Sequence, residues 1–61
     1  MSDPEIAAIL RDYCSRRLNT FEFMACVYVA DGRDPGSSQL EIFEGLKAEF
    51  ADEIKAHKHK P

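Results

Sequence analysis

From Leu40 onward, apolar residues return every three or four positions: Leu40, Phe43, Leu46, Phe50 and Ile54, with Ile42 widening the stripe. Glu41, Glu44, Glu49, Asp52 and Lys55 lie opposite. This spacing predicts an amphipathic helix from about Gln39 to His57. Gly45 falls on its polar side, where it costs ~1 kcal/mol relative to Ala. A similar pattern opens the chain. Ile6, Ile9, Leu10, Tyr13, Cys14 and Leu18 share one side, and Glu5, Arg11, Asp12, Ser15 and Arg16 the other. A helix from about Asp3 to Leu18 follows, with Arg16 and Arg17 placed to favour the C-terminal end of its dipole.

The middle of the chain has no polar face. FEFMACVYVA, residues 21–30, holds a single charge. As a helix it runs from Thr20 to about Asp31 and stops at Gly32, a residue suited to the left-handed cap. As a strand, Phe21, Phe23, Ala25, Val27 and Val29 alternate with Glu22, Met24, Cys26, Tyr28 and Ala30, and QLEIF returns beside it. Met24, Ala25, Cys26 and Ala30 are poor strand formers, and an eight-residue loop is long for a hairpin. Three capping-box patterns also favour helices: Ser2 with Glu5, Asn19 with Glu22, and Ser38 with Glu41. The expected fold is therefore all-α, a small three-helix bundle; the alternative is α+β, a helix–β-hairpin–helix. The loop DGRDPGSS separates the second and third helices, kept non-helical by Pro35 and Gly36.

An all-apolar middle helix has a functional implication. Its two neighbours cover only part of it. Phe21, Met24 and Tyr28 share one side, with Phe23 and Val27 on another. An apolar patch left open on a small protein marks an interface, and aromatic and Met side chains are enriched at interface cores. Phe21, Phe23, Met24, Val27 and Tyr28 are thus the candidate protein interface. A homodimer is the commonest way to cover such a face. The competing reading is a short central helix wrapped by the rest of the chain, since single exposed apolar residues are normal.

Length sharpens this. Sixty-one residues allow one domain, residues 1–61, with residues 56–61 expected as a frayed basic tail. A chain this small buries only ~60% of its unfolded surface, so a partner relieves a marginal core. The formal net charge is -3, which argues against sequence-independent nucleic-acid binding, a process driven by phosphate neutralisation. Glu41, Glu44, Glu49 and Asp52 form an acidic face that suits a basic partner or simply solvates the helix. The acidic N-terminus lacks the pattern of a signal peptide. No apolar run reaches the ~18 residues of a membrane span, so no membrane association is expected. Cys14 and Cys26 read as free thiols in a reducing cytoplasm, although one bridge is open to them if their helices pack face to face.

Candidate chemistry is sparse. Cys14, Cys26, His57 and His59 form a Cys2His2 set, but eleven residues separate the cysteines and one the histidines. Structural zinc sites use other spacings, and no metal or other cofactor is expected. No CxxC, catalytic dyad or phosphate loop stands out, and so short a chain is expected to leave no pocket of ~300 Å³ or more. The function expected is non-enzymatic: a regulator, adaptor or inhibitor acting through the apolar middle helix and the acidic last helix. Two alternatives remain. One is a nucleic-acid-associated protein using Arg11, Arg16, Arg17 and the Lys-rich tail. The other is a structural subunit of a larger assembly, such as a phage particle.

Overall fold

A computed structural model describes residues 2–58. The order is α1 (Asp3–Tyr13), a 3-10 turn (Ser15–Arg17), α2 (Thr20–Ala30), α3 (Gly36–Glu49) and α4 (Ala51–Lys58). No strand occurs among the described residues, which removes the helix–hairpin–helix alternative.

The start of α2 is the best-defined junction. Asn19 stands in extended backbone at the N-cap, and its Oδ1 accepts from the Glu22 N–H at 2.8 Å. The Glu22 carboxylate in turn accepts from the Asn19 N–H at 2.9 Å. Both donors would otherwise be orphaned at a helix start. The helix ends as expected, with Gly32 at a φ of 74°, a backbone that glycine adopts without strain.

Three residues from each long helix build the core. Ala7, Leu10 and Cys14 come from α1 and its cap, Ala25, Cys26 and Val29 from α2, and Phe43, Leu46 and Phe50 from α3 and its cap. Ala7, Ala25 and Cys26 are fully buried. Their small side chains let α1 and α2 pack closely, and this is the most extensive helix contact in the fold. Phe43 is the largest of the fully buried side chains. Among the described residues no polar or charged one is buried, so this interior carries no desolvation cost of that kind.

The structure corrects the expected three-helix count. The last helix bends at Phe50, whose φ and ψ of -104° and 25° leave the helical region. No proline or glycine stands at the bend. Phe50 itself is buried there, with the Arg17 guanidinium 4.6 Å from its ring centroid. Beyond it, α4 lies against the end of α1 and the 3-10 turn: Arg17 of the turn pairs with Glu53 at 3.2 Å, and His57 stacks on Tyr13 at 3.9 Å. Tertiary contact to α1 thus redirects a segment whose periodicity alone reads as continuous.

The other boundaries shift less. The first helix stops at Tyr13, not Leu18, and its last turn tightens into the 3-10 turn, with Arg17 N–H donating to the Cys14 carbonyl at 2.9 Å. Such bonds commonly satisfy carbonyls at a helix end. The third helix starts at Gly36, two residues before the expected Ser38 cap. Asp34 Oδ1 accepts from the Gly36 N–H at 3.0 Å, an Asx turn that makes Ser38 internal. Gly36 opens this helix at a φ of 78°. At the chain start, Ser2 occupies the N-cap, but its hydroxyl donates to the Glu5 carboxylate instead of accepting from a backbone N–H, so its side-chain cap is not made. The expected basic tail is helical as far as Lys58, and residues 59–61, with His59, lie outside the described residues.

Candidate functional site

Rotation about α2 separates its residues into three sets. Ala25, Cys26 and Val29 face the core. Phe23 and Val27 are half-buried on one flank. Phe21, Met24 and Tyr28, spaced by three and four, form the outer stripe. Phe21 is 72% exposed and Met24 37%. Tyr28 is half-buried, with the Arg33 guanidinium 5.2 Å from its ring centroid. The five candidate interface residues therefore fall on two flanks, and only Phe21 and Met24 stand open. Exposed Tyr13 differs, because His57 stacks on its ring.

Phe21 also borders a groove of about 410 Å³ between the start of α2 and the middle of α3. This corrects the expectation that the chain is too short for a concavity of that size. Ile42, Gly45 and Leu46 line it from α3, flanked by Glu41 and Glu49; Asn19 and Glu22 line it from α2. Ile42 is half-buried and Leu46 nearly fully so, which makes the floor apolar. Glu41, Gly45 and Glu49 follow one another at four-residue spacing, along a single row of the helix.

The acidic face is divided rather than continuous. Glu41 and Glu49 border the groove and make no ion pair among the described residues. Glu44 lies on the other flank of α3, held at 2.9 Å by Lys47, which also reaches Asp3 of α1 at 3.2 Å. The hydrogen bond to Glu44, followed by that to Asp3, raises the Lys47 pKa. Asp52 sits on α4, exposed and away from the groove lining.

Several chemical candidates are placed elsewhere by the fold. Cys14 and Cys26 are buried free thiols in the core. Burial pushes the Cys26 thiol up to about 11, with Glu22 and Cys14 adding to the rise. Burial also raises Cys14, helped by Glu53 and opposed by Arg17. Neither is set up as a nucleophile, which needs a lowered pKa and access. Among the described residues no three His, Cys, Asp or Glu side chains gather as metal ligands. No helix among them is long and apolar enough to cross a membrane. Of the three arginines in the nucleic-acid alternative, Arg11 is held by Asp12 at 2.9 Å and Arg17 by Glu53, while Arg16 is exposed.

Comparison of the chain with protein-family models, with curated proteins and with solved structures finds no match. Function is then read from the geometry of the fold. That geometry adds Gly45 and Ile42 to the residues singled out from sequence. Gly45 was legible as a helix-weakening residue; that it opens a concavity depends on where α2 lies.

Proposed function

We propose that this protein is a small non-enzymatic interaction module, a regulator, adaptor or inhibitor, whose α2–α3 face is covered by another protein. The carrying observation is the 72% exposure of Phe21 at the edge of a groove with an apolar floor. Covering a side chain of this size contributes roughly 1–2 kcal/mol to association, and aromatic anchors dominate interface energetics. Two buried free thiols suit a reducing cytoplasm. A homodimer is the second reading, favoured by the uncharged stripe of Phe21, Met24 and Tyr28.

Sedimentation of wild type and Phe21→Glu over a concentration range tests both. A dimer lost in the folded variant places the stripe at a self-interface. A monomer at every concentration leaves the face to a different protein, and pull-downs with both forms as bait then identify proteins that depend on Phe21. A monomer whose pull-downs do not differ refutes the interaction reading.

A further inference from the structure

We infer that the groove receives a basic amphipathic helix from another protein, crossing α3 at Gly45 with its cations against Glu41 and Glu49. This inference rests on the interaction reading above and names the partner's chemistry.

Gly45 is the first reason. It sits in the interior of α3 with helical backbone, where glycine weakens a helix relative to Ala. A Cβ placed there meets no atom within 4 Å. No neighbour in the chain therefore requires its absence. What the missing side chain provides is a dent in the groove lining, where a second helix can approach more closely than ordinary packing distances of ~8–10 Å allow. Charge is the second reason. Glu41 and Glu49 stand four residues to either side of that dent, about 12 Å apart along the axis. Neither is neutralised among the described residues. An occupant with cations flanking an apolar stripe meets both the carboxylates and the floor of Ile42 and Leu46. Phe21 closes over its side.

A second copy fits this groove poorly. A two-fold contact centred here sets Glu41 and Glu49 against their own counterparts, and the chain carries a formal net charge of -3. Of such a copy's described cations, Arg11, Arg17 and Lys47 are already held in ion pairs within their own chain and Arg33 lies over Tyr28, which leaves Arg16 and Lys55 to offset that repulsion. The same carboxylates repel a nucleic-acid backbone from this groove.

The test uses the full chain and three labelled peptides of about 18 residues, long enough to form a helix. One is an amphipathic Leu/Lys helix, one its Leu/Glu counterpart, and one a Lys/Gly coil of equal charge. Binding is read by fluorescence anisotropy for wild type, Gly45→Gln and the double variant Glu41→Lys with Glu49→Lys. Gly45→Gln fills the dent with a good helix former, and its circular dichroism and thermal midpoint establish that it is folded. The Leu/Lys helix is expected to bind wild type, with affinity reduced about tenfold or more in Gly45→Gln and lost in the double variant. The Leu/Glu helix and the coil are expected not to bind. Equal affinity for wild type and Gly45→Gln overturns the inference, as does binding of the coil as tightly as the helix, because attraction is then diffuse charge. No binding of the Leu/Lys helix overturns it as well. If Phe21→Glu nevertheless abolishes a dimer or a specific pull-down, the interaction reading stands and only the basic-helix groove falls.

Discussion

Replacing Gly45 by Ala should stabilise the isolated protein. Glycine in a helix interior is about 0.8–1.0 kcal/mol less favourable than Ala, chiefly through backbone entropy. Two opposing effects commonly cancel that gain, and both are absent here. The backbone at Gly45 is helical, with none of the positive φ seen at Gly32 and Gly36. The added methyl meets nothing within 4 Å, so it neither clashes nor packs. The expected change is therefore the propensity difference alone, roughly 0.5–1 kcal/mol of added stability. For a domain of this length that raises the midpoint of thermal unfolding by about 4–8 °C per kcal/mol. Gly36→Ala is the matched control. Space around Gly36 is equally open, but its φ is 78°, so the same methyl should destabilise by roughly 1 kcal/mol. Thermal and urea unfolding followed by far-UV circular dichroism measures both. A loss of stability in Gly45→Ala would mean that the chain itself uses the glycine. A role for Gly45 toward an outside partner would then be refuted.

Asn19→Ala removes a complete capping box and should cost about 1 kcal/mol, seen as a lower urea midpoint. Phe21→Glu should leave stability within ~0.5 kcal/mol of wild type, whereas Phe43→Ala should cost about 3–5 kcal/mol and leave little folded protein. The Cys26 thiol titrates near 11 in the fold against 9.0 ordinarily, so between those values the folded state holds the extra proton. Its contribution is complete below pH 9 and disappears as pH rises to about 11, by up to ~1.4 kcal/mol per pH unit. Urea midpoints measured across that range should fall more steeply for wild type than for Cys26→Ala, and parallel slopes would contradict the assignment.

Much of this architecture was legible in the chain because local and tertiary preferences agree. The boundaries of α2 are the best example: Asn19 and Glu22 form the box their spacing implies, and Gly32 ends the helix. The start of α3 was misplaced because two local motifs compete. Ser38 with Glu41 has the form of a cap, but Asp34 captures the Gly36 N–H first, and Gly36 supplies the positive φ that the turn needs. The bend at Phe50 had no local sign. Its cause is contact between segments far apart in sequence, Arg17 with Phe50 and Glu53, and Tyr13 with His57. The acidic face was only partly readable for the same reason. Helical spacing puts Glu41 and Glu49 in one row, but the fate of Glu44 depends on Lys47, and that of Lys47 on Asp3 of another helix.

Gly45 and Phe21 break the local rules in the described fold without compensation inside it. Gly45 weakens α3, and Phe21 exposes an aromatic ring. Each has a simple remedy, an alanine or a polar side chain, that the surrounding structure would accept. Departures of this kind are expected at functional sites, where stability is not the only demand on a sequence. In this protein both border the same groove, although they lie on different helices and far apart in the chain. Two unrelated accidents would have no reason to meet there. An occupant of the groove explains both at once: it covers Phe21 and approaches at Gly45. It would also stabilise the fold by mass action, by ~2.7 kcal/mol at a free concentration one hundred times its Kd. On the proposed reading the bound state is the one that functions, and a chain with so small a core can then tolerate both departures.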